Sequence, residues 1–238
     1  MKSVVLEKVT SLNHQASEAY KSLRSNIEFC GDDVRVIAVT SCLPNDGKSS
    51  TAFNLAKSMA ENGDKVLFID ADLRKSVMVG RYKATGQITG LSSFLSGRCS
   101  ADEVLYSTNI QNLHMIFAGH VPPNPAELLG NKFFRVLIDS GRKYYDYVII
   151  DTPPLGAVID SAIVAKECDG VMLVVSQGNI RRRFAIDILS QLKKANVRVL
   201  GAVLNKVDME SDSYYGRYYG KYYGKYYGQY YGKSEGEK

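Results

Sequence analysis

VRVIAVTSCLPNDGKSSTAFNLAKSMAENG, residues 34–63, decides the fold. Its first eight residues, 34–41, are a β-branched run of the kind buried on both faces of a parallel sheet. Its last fifteen, 49–63, read as a helix ending at Gly63, a residue suited to the position just past a helix. Between them lies SCLPNDGKSS. That stretch fits x-x-x-x-x-G-K-S, the phosphate-loop (Walker A) pattern, in the strand–loop–helix context it requires. Cys42 stands where the strict pattern has its first glycine. Pro44 and Asn45 take the bend, and Asn tolerates left-handed backbone better than most residues.

The residue types explain the chemistry. Pro44, Asn45, Asp46, Gly47, Lys48, Ser49 and Ser50 are read as a nucleotide cradle, in which backbone N–H groups and a helix N-terminus wrap phosphates. Lys48 reaches the β- and γ-phosphates, and the Ser49 hydroxyl is the expected Mg²⁺ ligand. The plainer reading is a solvated lysine on a turn, and the strand and helix on either side argue against it.

Outward from the loop, KVLFID (65–70), NLHMIFAG (112–119), YDYVIID (145–151), VMLVVS (171–176) and RVLGAVLN (198–205) read as further strands. Helices are expected at 14–29, 90–97, 159–168 and 181–196. VPPNPAELL opens another, with Asn124 as N-cap, Pro125 first and Glu127 in the first turn. Strands alternating with helices predict right-handed crossovers and a mostly parallel sheet covered on both faces. The expected fold class is α/β, a P-loop NTPase-like three-layer fold, with ligands beyond the carboxyl ends of the strands.

Two of those strands end in acids. VLFIDADLRK carries Asp70 and Asp72, which point the same way if the strand persists that far. YVIIDTPP carries Asp151. One Asp at a strand end is most simply a turn former. Three in this order beside a phosphate loop suit Mg²⁺, which takes few protein oxygens and keeps its waters. One of them can accept the proton of an attacking hydroxyl.

The chain of 238 residues suits one domain, placed at 1–208, followed by a tail at 209–238. Residues 214–232 repeat Tyr-Tyr-Gly-X and hold ten of the sixteen tyrosines, between Arg217, Lys221 and Lys225. Gly at every fourth position and no aliphatic residue predict disorder there. A sticky association segment is the other reading of this repeat.

Hydrophobic content of 45% and charged content of 23% fit a soluble globular protein. A net charge of +5 is too mild to name a partner, and no nucleic-acid partner is expected. The four cysteines lack metal-site spacing and read as reduced thiols. No signal peptide and no apolar run of the ~18 residues that span a bilayer is seen. The expected location is cytoplasmic, with membrane attachment through a partner.

The set SxxPxDGKSS, FIDADLRK, VIIDTPP and AGHVPPNPAELL, with GAVLNKVD and a tyrosine-rich C-terminus, resembles the bacterial tyrosine kinases of capsular and exopolysaccharide biosynthesis. The resemblance covers essentially the whole chain. It implies an ATP- and Mg²⁺-dependent kinase that autophosphorylates its tail in trans and regulates polysaccharide synthesis and export. By resemblance Lys48 and Ser49 are the Walker A pair, Asp70 and Asp72 the second acidic motif, and Asp151 the Walker B acid. Asp72 is then the base for the tyrosine hydroxyl, Asp70 and Asp151 organise Mg²⁺, and Asn205 lies near the adenine.

The implied phosphoacceptors are Tyr214, Tyr215, Tyr218, Tyr219, Tyr222, Tyr223, Tyr226, Tyr227, Tyr230 and Tyr231. An E-x-x-R-x-x-R helix motif that assembles a ring, an octamer by family, corresponds to Glu18, Lys21 and Arg24. Lys21 departs from it, and Lys lacks the bidentate fork of Arg. A solvated charged helix face is the other reading of those residues. Ser76 departs too, where many members have proline. The implied partners are a membrane-embedded chain-length regulator acting as activator and a cognate tyrosine phosphatase.

Two rival readings stay open. A ParA- or MinD-like ATPase shares the fold, but carries a signature lysine at the position of Leu43 and often a basic amphipathic C-terminal helix. A nucleotide-switched scaffold of a polysaccharide machine would bind without catalysis.

Overall fold

The computed structural model describes residues 1–208; the tail tyrosines lie outside the described residues. Residues Met1–Asn205 form one compact unit. The strands are β1 (Lys2–Ser3), β2 (Val36–Ser41), β3 (Val66–Asp70), β4 (Tyr106–Ser107), β5 (Leu113–Ile116), β6 (Tyr147–Asp151), β7 (Gly170–Ser176) and β8 (Val199–Asn205). They form one sheet in the order β1-β4-β5-β3-β6-β2-β7-β8. Only the short β4–β5 pair is antiparallel. The helices are α1 (His14–Glu28), α2 (Lys48–Glu61), α3 (Met78–Tyr82), α4 (Leu91–Leu95), α5 (Ala101–Val104), α6 (Pro125–Leu129), α7 (Lys132–Tyr144), α8 (Asp160–Ala165) and α9 (Arg182–Lys194). The expected α/β architecture is what folds.

The central strands are apolar at successive positions up to their carboxyl ends because both faces are covered. Successive residues of a strand point to opposite faces. Val36, Ala38, Ile69, Ile150 and Leu173 accordingly join one apolar layer with Phe134, Ile188 and Leu192. Ile37, Val39, Phe68, Ile149 and Met172 join the other with Phe53, Met59 and Ile27. Phe53 is fully buried, its ring stacked 3.9 Å from that of Tyr82 and edge-on to Phe68 at 5.9 Å. Burying a side chain of this size contributes roughly 1.5–3 kcal/mol.

The structure corrects several local expectations. Helix α7 is an addition to the expected helices, and Asn131 announces it: its Oδ1 accepts from Phe133 N (2.9 Å) and Phe134 N (3.1 Å). Asn124, expected to cap α6, does not cap it with its side chain; its amide instead donates to Glu127 Oε2 at 2.7 Å. Strand β3 stops at Asp70, so the strand period does not aim Asp72. Strands β1 and β4, at one side of the sheet, have two residues each, too few to show a period, yet Val4 and Leu6 beside β1 are buried.

Candidate active site

Strand β2 lies between β6 and β7, so the loop that leaves its carboxyl end has a strand end on either side. Asn45 (φ 67°) and Gly47 (φ 91°) turn the loop through left-handed backbone. At Gly47 space also forbids a side chain: a Cβ there would lie 2.1 Å from Asn205 Nδ2. Gly47 leads into α2 at Lys48, so the first turn of α2 directs its free N–H groups into the loop.

Asp46 shows how the loop keeps its shape. Its carboxylate is fully buried and accepts from Leu43 N (2.9 Å) and Asn179 Nδ2 (3.1 Å). Its carbonyl accepts from Asn205 Nδ2 (2.9 Å) and Ser176 Oγ (3.2 Å). Ser176 and Asn205 are the last residues of β7 and β8. The ends of two strands therefore brace the loop from behind. The side chains of Asp46 and Asn205, expected among the nucleotide contacts, also hydrogen-bond at the loop itself. The Ser50 hydroxyl accepts from Arg81 Nη1 at 2.5 Å. Cys42 is buried, and burial followed by Asp46 pushes its thiol up to about 11, so it is not a thiolate at neutral pH.

Two of the three acids, Asp72 and Asp151, converge on Lys48. Its Nζ lies 3.1 Å from Asp72 Oδ2, 3.4 Å from Asp151 Oδ1 and 3.1 Å from Ser49 Oγ. Asp70 and Asp151 are register partners on adjacent strands, so their carboxylates leave the sheet side by side. Asp72 is brought in by a turn: its Oδ1 accepts from Lys75 N (2.9 Å) and its N–H donates to Asp70 Oδ1 (3.2 Å). All four charged groups are buried, Asp70 at 0%, Asp151 at 1%, Asp72 at 5% and Lys48 at 9% exposure.

Burial and like charge set the electrostatics. Burial, then the charge of Asp151, raises the Asp70 carboxyl well above the usual carboxylate range, against the hydrogen bond from Ser76. Burial raises Asp151 as well, while Lys48 and the Ser49 hydroxyl pull it down. Burial alone would lower the Lys48 ammonium; Asp151 and Asp72 outweigh it and hold the group charged. One cation among three buried acids is electrostatically incomplete, and a bound cation would relieve the excess. Among the described residues no group of three or more His, Cys, Asp or Glu is arranged as a metal site. The donor set of hydroxyl and carboxylate oxygens suits Mg²⁺, which borrows most of its ligands from water and phosphate.

Three supporting contacts were not read from sequence as parts of the site. Arg74 grips the buried Asp160 with Nε (2.8 Å) and Nη2 (3.0 Å), tying the Asp72 turn to α8. The Ser76 hydroxyl donates to Asp70 Oδ2. Arg81 joins α3 to the first turn of α2 through Ser50. A sequence signal existed for Ser76 alone, as a departure from the family pattern.

The face of α1 is different. Lys21 Nζ pairs with Glu18 Oε1 at 2.7 Å within the helix, both side chains substantially exposed. Arg24 turns inward: Nη1 donates to Ser58 O of α2 (3.3 Å), and Nε lies 3.5 Å from Glu28 without a hydrogen bond. Among the described residues no helix is long and apolar enough to cross a membrane.

With this geometry in view, comparison with known proteins is specific. A family described as an AAA domain matches residues 34–206. The tyrosine-protein kinase CpsD of Streptococcus agalactiae is 43% identical over 214 residues, 89% of this chain and 93% of that protein. The kinase domain of Escherichia coli tyrosine kinase ETK superposes with a TM-score of 0.79 at 33% identity, over 84% of this chain and 79% of that one. The septum site-determining protein MinD of Pyrococcus horikoshii, solved with Mg-ADP, reaches a TM-score of 0.62 over 72% of this chain and 70% of that one. At 23% identity it shares the fold alone. The rival ATPase reading thus keeps the architecture but not the sequence, and the chain belongs to the bacterial tyrosine-protein kinases.

Proposed function

We propose that this kinase transfers the γ-phosphoryl group of ATP to tyrosines of its own C-terminal repeat on a neighbouring copy, and thereby regulates capsular or exopolysaccharide synthesis. The observation that supports it most is the convergence of Lys48, Asp72 and Asp151 within 3.4 Å at the mouth of a phosphate loop.

The loop amides and the first turn of α2 bind the β- and γ-phosphates. Lys48 leaves its carboxylates for the phosphates and stabilises charge as the γ-phosphoryl loosens. Asp72, the most exposed of the three acids, accepts the proton of the incoming tyrosine hydroxyl. The tyrosine oxygen forms a bond to the γ-phosphorus, the bond from that phosphorus to the bridging oxygen breaks, and ADP leaves. Ser49, Asp70 and Asp151 would hold Mg²⁺, which when bound supplies charge neutralisation on the phosphates.

Tyr214 to Tyr231 are the acceptors. Eight linking residues, 206–213, reach at most ~26–29 Å when extended. Tethering within an assembly raises local tyrosine concentration to the mM range. The further proposals are a homo-oligomeric ring assembled through Glu18, Lys21 and Arg24, and docking on a membrane-embedded chain-length regulator that activates the kinase. A cognate phosphatase then resets the tail. Each phosphate adds about −1.5 to −2 charges, so a phosphorylated basic tail becomes acidic and repels its neighbours.

Incubation with MgATP and the cytoplasmic tail of the activator, followed by phosphotyrosine detection, tests this reading. Signal is expected in the wild type and is lost on truncation at residue 213. ATP hydrolysis without phosphotyrosine would return the site to an ATPase, and nucleotide binding alone would leave a scaffold.

A further inference from the structure

Asp70 is fully buried, yet one of its two donors comes from an exposed residue. Its Oδ1 accepts the N–H of Asp72 at 3.2 Å, and its Oδ2 accepts the hydroxyl of Ser76. Lys48 lies within 3.4 Å of Asp72 and Asp151, and forms no such pair with Asp70. We propose that Ser76 is a positioning residue: its hydroxyl fixes the Asp70 carboxylate in the orientation that the divalent-ion site needs. The proposal rests on the reading of Asp70 as an ion-holding acid of the kinase centre.

The local chain is built to aim that hydroxyl. From Asp70 to Ser76 the backbone winds around two carboxylates, closed by Asp72 N–H on Asp70 and by Lys75 N–H on Asp72 Oδ1 at 2.9 Å. Ser76 Oγ also accepts from Met78 N at 3.4 Å, at the start of α3. With a lone pair held by that amide, the hydroxyl proton is free to point at Asp70 and not at water. The Ser76 side chain sits where its one oxygen makes both contacts. An exposed serine turned to solvent would make neither.

Asp70 needs such a partner. It stands in register beside Asp151, and two carboxylates side by side turn away from each other unless each is held. A terminal carboxylate torsion is soft, so packing alone does not fix it. The hydrogen bond does, and it does not block an ion, because an ionised carboxylate has about four acceptor positions and two are used here.

A pair of isosteric variants isolates the hydroxyl. Ser76→Thr keeps it and Ser76→Val removes it, with nearly the same shape. Both are read by tail phosphorylation (kcat and KM for ATP), by Mn²⁺ affinity in the presence of a non-hydrolysable ATP analogue, and by melting temperature. The expected result is Thr within about twofold of wild type and Val about tenfold lower in kcat, as for loss of one hydrogen bond to a charged acceptor. Mn²⁺ binding weakens several-fold in Val, while KM matches that of Thr and the melting temperature falls by at most a few degrees, as for one lost hydrogen bond. In an Asp70→Asn background, Thr and Val should bind Mn²⁺ alike.

Equal behaviour of Thr and Val in wild-type background overturns the proposal. So does a Mn²⁺ difference that persists in Asp70→Asn, since Ser76 would then act through something else. A wild type that makes no phosphotyrosine would instead defeat the kinase reading, and the Mn²⁺ comparison still reports on Ser76.

Discussion

The phosphate loop with its three acids and the outer face of α1 both carry charged residues at patterned spacing, and they fold into opposite environments. At the loop, Lys48 from the start of α2, Asp70 and Asp151 from two strand ends and Asp72 from the turn after β3 are buried together. On α1, Glu18 and Lys21 come from one helical turn and pair in solvent. A helix puts such residues together whatever their purpose, at a gain near zero to about 1 kcal/mol for an exposed pair. Nothing local brings Asp151 to Lys48. Only the sheet does, and the excess of buried negative charge it creates is a cost that a bound cation relieves.

If that contrast is right, substitutions should hurt in proportion to convergence and burial. Lys48→Met should have the largest effect, lowering tail phosphorylation on the order of 100- to 1,000-fold, measured as the initial rate with MgATP. Its melting temperature should stay near wild type or fall, since three buried acids lose their cation. A residual rate within a few-fold of wild type would erase the distinction between the two regions.

Asp160→Asn is next. It leaves the Arg74 fork facing a neutral partner and should cost roughly 1–3 kcal/mol in denaturant unfolding, with a fall in kcat as the Asp72 turn loosens. No loss of either kind would mean that the clamp does not hold the turn.

Asp70→Asn separates activity from stability. The folded-state carboxyl is raised, to about 7, by burial and then by Asp151. A raised carboxyl contributes stability that is complete below the ordinary carboxylate range and is lost as pH rises through the folded value. The variant should therefore be less active yet melt higher than the nucleotide-free wild type at pH 8, with the gain shrinking toward pH 5. A melting difference that grows toward pH 5 would reverse the assigned sign.

The smallest effects belong to α1. Arg24→Ala should destabilise by about 1 kcal/mol through its lost contact with Ser58 O. Glu18→Ala and Lys21→Ala should leave the melting temperature unchanged. A drop in oligomer mass by light scattering, with folding intact, is the outcome that would make this face an assembly surface.

Much of the fold was legible because both layers need the same thing from a strand. Runs such as 36–39 and 148–150 are apolar throughout, and the loops between the strands carry Gly, Pro and Asp where turns occur. The three acids and the lysine were legible because the loop pattern places Lys48, and strand ends place Asp70 and Asp151. Asp72 was aimed for the wrong reason: a turn on Lys75 N, not the strand period, presents it. What escaped was long-range or too short to be periodic. Asp160 lies 86 residues from Arg74, and no local pattern pairs them. Only Gly130 and Asn131 separate helix α7 from α6, a break too short to mark a second helix in the sequence. Asp46 and Asn205 look like ligand contacts in a motif, and only the packed loop reveals their bracing role.

The central claim, transfer from the Lys48 site of one copy to the tail of another, has a direct test. Wild-type kinase truncated at residue 213 keeps the site and lacks acceptors; full-length Lys48→Met keeps the acceptors and lacks the site. Mixed with MgATP and the activator's cytoplasmic tail, the pair should give phosphotyrosine on the Lys48→Met chain, located by mass spectrometry between Tyr214 and Tyr231. Neither protein alone should label. An unlabelled mixture, under conditions in which the intact wild type phosphorylates itself, would contradict transfer between copies, and labelling of Lys48→Met alone would contradict the site.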